Sequence, residues 1–294
     1  MQHPLRRSWL VTPAGNEKRL GLAASSAADV VVLDLVEFVP EQSKAAARRR
    51  LASAVGEIAA RKSCFAQVDP ALLEADLDAC VRPGLSGIVI SRVETTEQVH
   101  KADRLLASLE AARGLPAGST QIVLALETAP GNHRAHELGK ASSRVWGMTL
   151  GRADLIMGLR PEPTGELHLM QHLMQRLIIV AGAVGAVPLG AWWRAPDRGM
   201  QATPDNTLQA AVRGRAIGFR GAFCVLENQA APLNQGYSPT AAEQLAAGEL
   251  LAAYESAVAS GQGLVWEGNR LIDRGAALRA RHVLDLAAAK GGAS

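Results

Sequence analysis

The sequence VVVLDL, from Val30 to Leu35, is a continuous apolar run that contains one charged residue, Asp34. An unbroken run of valine and leucine, without alternating polar residues, is typical of a parallel β-strand buried on both faces. Seven similar runs follow or precede it, separated by stretches with helical patterning. They are Trp9–Thr12, Cys64–Val68, Gly87–Ser91, Gln121–Glu127, Val145–Leu150, Val187–Ala191 and Ala222–Leu226.

Eight buried strands that alternate with helices predict a closed (β/α)8 barrel, the TIM barrel of the α/β class. The intervening residues 41–58 and 95–112 each place apolar side chains on one helix face. An open doubly wound sheet is the alternative, but no GxGxxG motif follows the first strand. A length of 294 residues with 48% hydrophobic residues suits a barrel.

The alternation of strands and helices ends after Leu226, and the remaining residues are too many to be needed for closing a barrel. They predict a loop over 228–237, a helix start at Ser238-Pro239, a long helix over 241–260, a hairpin over 264–273 and a last helix over 276–290. We therefore expect a catalytic TIM barrel over residues 1–228. A C-terminal helix–hairpin–helix appendage over 229–294 would cover the barrel mouth as a lid or mediate oligomerisation.

Composition excludes several classes of function. The net charge is only +3 and the basic residues are scattered, so nucleic-acid binding is not indicated. Cys64, Cys80 and Cys224 form no CxxC motif, which favours a reducing cytoplasm over a disulfide framework or a zinc site. The apolar stretch 177–193 contains glycines and a proline, so we expect no membrane span.

Polar residues at the carboxyl ends of the strands are the candidates for function, since active sites of TIM barrels lie there. Glu127 and Asp154 follow adjacent strands, and two carboxylates suit a hard divalent cation. Asp154 as a simple helix cap is the alternative. Asp34 is either a site residue or a partner of loop backbone. The other polar residues at these ends are Glu37, Gln67, Asp69, Arg92 and Arg152.

Short motifs in a consistent order resemble the HpcH/HpaI aldolase and citrate lyase β-subunit superfamily, especially its citryl-CoA, malyl-CoA and citramalyl-CoA lyase-like members. The resemblance covers nearly the whole chain. The motifs are RSWLVTPA from Arg7, VVLDLVEFVP from Val31, GIVISRVE from Gly87, LETA from Leu126, GRADL from Gly151 and LID from Leu271.

The resemblance implies a Mg²⁺-dependent carbon–carbon lyase, with Mn²⁺ as the alternative ion. Glu127 and Asp154 take the positions of the metal ligands. The substrate would be a coenzyme A thioester, a 3-hydroxyacyl-CoA, or a free hydroxy-keto acid, which cleavage converts to an acyl-CoA and a 2-keto acid. The enolate left by cleavage needs fixed positive groups to stabilise it.

The resemblance also assigns roles to single residues. Asp273, in the late LID motif, corresponds to an acid/base that a neighbouring subunit supplies, so a homo-oligomer, trimer or hexamer, is expected. A helix cap is the alternative reading of Asp273. Arg7 is the candidate contact to the cofactor, coenzyme A. Asp34, Glu37, Gln67 and Arg92 are the further candidate catalytic residues.

Several positions depart from the family pattern. Val36 replaces an acidic residue, Gln67 replaces an arginine that contacts substrate oxygens, and Ser91-Arg92 replaces Pro-Lys. Leu226 and Glu227 stand where the family has His and Pro. We therefore expect reduced turnover on malyl-CoA-type substrates. A non-catalytic or regulatory paralogue is the second hypothesis, and a thioesterase or hydratase is the third.

Overall fold

The structure is a computed structural model that describes residues 5–151, 166–191 and 203–291. It confirms the predicted barrel, because eight parallel strands surround one buried core. The strands are β1 (Ser8–Pro13), β2 (Val30–Asp34), β3 (Ser63–Val68), β4 (Leu85–Ile90), β5 (Gln121–Leu126), β6 (Val145–Leu150), β7 (Val187–Leu189) and β8 (Ala222–Cys224). Their order in the sheet is β7-β6-β5-β4-β3-β2-β1-β8.

The barrel closes between β7 and β8, the two strands at the ends of this order. There the ladder is replaced by two single backbone hydrogen bonds. The Gly190 N–H donates to the Gly221 carbonyl at 2.7 Å, and the Arg220 N–H donates to the Pro188 carbonyl at 3.0 Å. The strand ends of all eight strands therefore meet around one mouth, as the sequence predicts.

Helices follow most of the strands. They are α1 (Glu17–Ser25), α2 (Lys44–Ala59), α3 (Leu73–Cys80), α4 (Thr96–Ala112), α5 (Ala129–His133), α6 (Ala135–Lys140), α7 (Glu166–Val184), α8 (Pro204–Ile217) and α9 (Ala230–Gly236). Short 3₁₀ helices occupy Glu41–Ser43, Pro70–Leu72 and Glu227–Gln229. No helix in the described ranges is both long enough and apolar enough to cross a membrane.

Aromatic rings fill the amino end of the barrel. The Trp9 ring lies 4.7 Å from Phe65, 5.5 Å from Trp146 and 5.3 Å from Phe223, measured between ring centroids. The Arg6 guanidinium lies over the rings of Phe65 and Trp146 at 5.0 and 4.8 Å. Burial lowers the pKa of Arg6 to about 10. This end of the barrel is therefore packed with side chains.

A buried ion-pair network braces the same end. Arg144, directly before β6, donates two hydrogen bonds to the Glu110 carboxylate at 2.7 and 2.8 Å and one to Asp103 at 2.6 Å. Burial opposes ionisation of Glu110, but the hydrogen bonds from Arg144 and from the N–H groups of Thr120 and Gly118 outweigh it. The pKa of Glu110 is consequently lowered to about 2.

The chain divides into two compact units. One comprises Arg6–Gln235 and the other Gly236–Ser294 together with Met1–Leu5. The second unit contains the predicted helix–hairpin–helix, with α10 (Ala241–Ala259), β9 (Val265–Glu267), β10 (Arg270–Ile272) and α11 (Arg274–Gly291). Its own small core gathers buried residues of α10, β10 and α11, namely Ala247, Leu250, Ile272, Ala276 and Ala280.

Two local predictions in this region are wrong. Residues 228–237 are helical for most of their length, because Ala230 and Leu233 are fully buried and stabilise α9 despite Pro232. The helix start at Ser238-Pro239 is also wrong. Thr240 is the N-cap of α10, and its side chain and that of Glu243 form a reciprocal capping box.

Candidate functional site

Four charged residues that follow strands β2 to β5 meet at the carboxyl end of the barrel. The Arg92 guanidinium lies 3.6 Å from the Glu37 carboxylate and 3.5 Å from the Asp69 carboxylate. The backbone N–H of Arg92 donates to Oε2 of Glu127 at 2.7 Å. The structure thus brings together three predicted site residues, Glu37, Arg92 and Glu127. Asp69, a strand-end residue with no predicted role, lies with them.

Arg92 reaches both partners through an unusual backbone conformation. Its φ is 45°, and among the described residues it is the non-glycine residue with a positive φ. Residues other than glycine rarely adopt this left-handed backbone conformation, which costs them about 1–2 kcal/mol. The conformation turns the N–H of Arg92 toward β5 while its side chain reaches Glu37 and Asp69.

Glu127 is seated directly against the end of β6. The register pairs Leu126 with Leu150, so Glu127 and Gly151 are the next residues on the two neighbouring strands. A Cβ added at Gly151 would lie 2.1 Å from Cγ of Glu127, closer than any real contact. Position 151 therefore has room for glycine alone while Glu127 keeps this conformation.

Asp34 is fully buried and supports the loop that carries Glu37. Its Oδ1 accepts the N–H groups of Val36 and Glu37, and its Oδ2 accepts the N–H of Phe38 at 2.7 Å. Burial raises the pKa of Asp34, and these hydrogen bonds and Lys44 oppose the rise. Asp34 is expected from the sequence to be either a site residue or a partner of loop backbone, and the structure shows its hydrogen bonds to loop backbone.

Gln67 lies beneath the charged group and is tied to the end of β4. Its Nε2 donates to the Ser91 hydroxyl at 2.8 Å, and both side chains are buried. Ser91 immediately precedes Arg92. Three positions that depart from the family pattern, 67, 91 and 92, are therefore neighbours in space.

Asp69 also connects the mouth to the helices behind it. Its Oδ1 accepts the N–H of Ala71, and its own N–H donates to Asp76, which is 1% exposed and bonded to Arg48 at 2.7 Å. The sequence placed Asp69 at the end of β3 but gave it no role. Its position directly after a buried strand was the signal that could have identified it.

Two further predicted site residues, Arg7 and Asp273, have polar partners of their own. Arg7 precedes β1, at the amino end of the barrel, where its guanidinium and backbone N–H both bind the Asp29 carboxylate at 2.8 Å. Asp273 belongs to the C-terminal unit, where it is exposed and its Oδ1 accepts the Ala276 N–H at 2.7 Å as the cap of α11. The structure does not bring Arg7 together with the charged residues at the carboxyl end.

Asp154 and Arg152 lie outside the described residues. Within the described ranges, no three His, Cys, Asp or Glu side chains form a group that could hold a metal. The donors at the mouth are carboxylate oxygens, which are the ligands that Mg²⁺ prefers. Glu127 fits such a site because one of its oxygens accepts the Arg92 N–H and its stem lies close to Gly151, where a larger residue would displace it.

Leu226 and Glu227, which depart from the family pattern, follow β8. Glu227 forms an ion pair with Arg19 at 3.5 Å, and the Leu226 side chain is exposed. The N–H groups of Val225 and Leu226 donate to Oε1 of Gln229. This strand end is thus organised by Gln229 and Arg19.

Comparison with known proteins gives one consistent result. The profile of the HpcH/HpaI aldolase/citrate lyase family matches residues 7–225. The citrate lyase subunit beta of Leuconostoc mesenteroides subsp. cremoris is 27% identical over 96% of this chain and 93% of its own length. The L-malyl-CoA/beta-methylmalyl-CoA lyase of Rhodobacter capsulatus is 28% identical over 92% of this chain and 90% of its own.

A solved structure supports the fold independently. CitE from Mycobacterium tuberculosis, in complex with magnesium, acetoacetate and coenzyme A, superposes with a TM-score of 0.73 at 23% identity. The match covers 97% of this chain and 98% of that chain. The likeness in fold therefore extends over nearly the full length of both chains.

Proposed function

The chain belongs to the HpcH/HpaI aldolase/citrate lyase family, and from this premise we propose that it is a Mg²⁺-dependent carbon–carbon lyase. Its substrate is a 3-hydroxyacyl-CoA or a hydroxy-keto acid, and its products are an acyl-CoA and a 2-keto acid. Two kinds of relative, named citrate lyase subunit beta and malyl-CoA lyase, support this reaction class. Mn²⁺ is the alternative ion.

The observation that carries the proposal is the fixed carboxylate of Glu127. Its Oε2 accepts the Arg92 N–H, and its stem occupies the space that a Cβ at position 151 would need. Asp154 follows Gly151 by three residues, and three residues of chain span at most about 11 Å. As the family resemblance implies, Glu127 and Asp154 are the residues that would hold the ion. A cation bound there would stabilise the negative charge that develops on the keto-acid oxygens.

The remaining residues of the mouth position the substrate. Arg92 is a positive charge beside Glu127, and Asp34 holds the loop that places Glu37 near it. Asp273 of a neighbouring copy is the acid/base that transfers a proton at the carbon of the acyl-CoA product. A carboxylate suits this role when closure of the site removes water and raises its pKa.

The proposal is tested by measuring 2-keto-acid release from a panel of 3-hydroxyacyl-CoA thioesters and hydroxy-keto acids, with and without Mg²⁺. We expect turnover that requires the ion, loss of Mg²⁺ binding in Glu127→Gln, and no change in the control Glu137→Gln, which alters an exposed glutamate of α6. Inactivity on the whole panel despite Mg²⁺ binding would contradict the proposal and favour a regulatory paralogue.

The role of Asp273 is tested by mixing two variants. Asp273→Asn and Glu127→Gln, each nearly inactive alone, are combined under conditions in which subunits exchange. If the site is shared, mixed oligomers regain part of the activity, because some sites then contain both intact residues. Asp285→Asn, at an exposed position of α11, is the control and should remain fully active. A monomer in light scattering would leave Asp273 as the cap of α11.

A further inference from the structure

Arg92 is held loosely compared with Arg144, the arginine at the opposite end of the barrel. Its contacts to Glu37 and Asp69 measure 3.6 and 3.5 Å, and 42% of its side chain is exposed. Arg144 makes contacts of 2.6 to 2.8 Å and is 9% exposed. A guanidinium has five N–H donors, and two long contacts leave it able to bind a further anion.

The backbone of Arg92 is better suited to glycine than to arginine. A residue with φ of 45° is strained unless it is glycine. The backbone N–H that holds Glu127 would be present with any residue except proline. What arginine adds at this strained position is its side chain, and strain of this kind is concentrated at binding and catalytic sites.

The neighbouring polar group cannot supply the same charge. Gln67 is neutral, and its amide nitrogen already donates to Ser91 within the buried layer below the mouth. The bond connects β3 to the residue immediately before Arg92. It therefore supports the base of the strained turn rather than presenting a donor at the mouth.

We propose that Arg92 binds the carboxylate of the 2-keto acid and thereby determines which acids the site accepts. This inference rests on the proposed function and deepens it. The planar guanidinium can form two parallel hydrogen bonds with a carboxylate. The ligand carboxylate takes the place of the long contacts to Glu37 and Asp69.

Glu37 and Asp69 make this site selective. Both compete with any incoming anion for the guanidinium, so an anion with a single attachment binds weakly. A 2-keto acid has a second attachment, through its oxygens to the cation site at Glu127, which adjoins the Arg92 backbone. The arrangement thus favours anions that bind the Arg92 guanidinium and the cation site at Glu127 at the same time.

The test is a calorimetric titration of the full chain with pyruvate, glyoxylate and oxaloacetate at saturating Mg²⁺. Arg92→Gly removes the guanidinium and keeps the N–H to Glu127. We expect its affinity for the preferred acid to fall at least tenfold, while its Mg²⁺ affinity stays within twofold and its Tm does not fall. Arg92→Lys keeps a charge but cannot form the paired hydrogen bonds, so its loss is smaller.

Arg49→Ala is the charge-matched control, since it removes an exposed arginine of α2 and should leave every affinity unchanged. Adding Gln67→Arg to Arg92→Gly returns a guanidinium nearby, and partial recovery of acid binding would support the assignment. An acid affinity in Arg92→Gly equal to that of the native chain would overturn this inference alone. A native chain that binds Mg²⁺ but no 2-keto acid would overturn the proposed function with it.

Discussion

The two ends of the barrel use charged residues in opposite ways. At the amino end, Arg144 is 9% exposed and binds Glu110 and Asp103 at 2.6 to 2.8 Å. At the carboxyl end, Arg92 is 42% exposed and lies 3.5 to 3.6 Å from its acidic partners. The same types of side chain are thus tightly paired at one end and loosely paired at the other.

The difference separates stability from binding. A buried, hydrogen-bonded ion pair is strongly destabilising to break, because one charge is left unpaired away from water. Loose, exposed charges contribute little to stability, and solvent screens them. Changes at the amino end should therefore alter folding, whereas changes at the carboxyl end should alter ligand binding.

The largest effect is expected for Arg144→Met, which leaves the Glu110 carboxylate, 1% exposed, without its guanidinium. We expect a loss of about 3–5 kcal/mol in the free energy of unfolding, measured by urea denaturation. Arg281→Met breaks an exposed pair with Glu255 and serves as the control, with an expected loss below about 1 kcal/mol. Equal losses in the two variants would remove the distinction between buried and exposed pairs.

The free energy of unfolding of the native chain should depend on pH because of the same ion-pair network. The pKa of Glu110 is lowered from 4.5 to about 2 in the folded state, so its contribution is complete above pH 4.5 and is lost as the pH falls toward 2. The shift corresponds to at most about 3 kcal/mol. The stability gap between the native chain and Arg144→Met should therefore narrow as the pH falls from 4.5 toward about 2. A stability gap that stays constant as the pH falls below 4.5 would contradict the lowered pKa of Glu110.

At the carboxyl end, Gly151→Ala should reduce binding without unfolding the chain. The new Cβ would lie 2.1 Å from Cγ of Glu127 and force that side chain to move. We expect Mg²⁺ affinity to fall by about 10- to 100-fold, as for residues that orient metal ligands. Gly182→Ala is the matched control, since a Cβ there meets nothing within 4 Å. Unchanged Mg²⁺ affinity in Gly151→Ala would show that Glu127 is not held in this conformation for the ion.

Arg92→Gly should have the smallest effect, and it should raise the free energy of unfolding rather than lower it. Glycine adopts a φ of 45° without strain, so the free energy of unfolding should rise by up to about 1 kcal/mol. Thermal denaturation of this variant beside the native chain measures the gain. A clear loss of stability would instead mean that the contacts of Arg92 to Glu37 and Asp69 hold the mouth together.

The sequence predicts the barrel well because its strands are buried on both faces. A run such as Val30 to Leu35 has few other uses in a soluble fold, and the observed strand, Val30–Asp34, differs by one residue. Helix α9 was missed because its proline, asparagine and glutamine resemble a loop. Burial of Ala230 and Leu233 and the hydrogen bonds of Asn234 to Ser8 and to the Ala27 carbonyl stabilise it, and these are tertiary effects.

The candidate site is predictable in part for the same reason. Glu127 and Arg92 follow strands, so their placement at the mouth comes with the fold. The left-handed backbone of Arg92 and the contact between Glu127 and Gly151 depend on the register of neighbouring strands. No local pattern of residues specifies either feature.

The two hydrogen bonds that join β7 to β8 also indicate where the barrel would first open. Elsewhere ladders of paired residues connect neighbouring strands, and β8 is paired in register with β1. Local opening begins where the fewest backbone hydrogen bonds must break at once. The amides of Gly190 and Arg220 should therefore exchange with deuterium ahead of those in the middle of β2 or β3, marking a seam between two strands rather than a general loosening of the sheet.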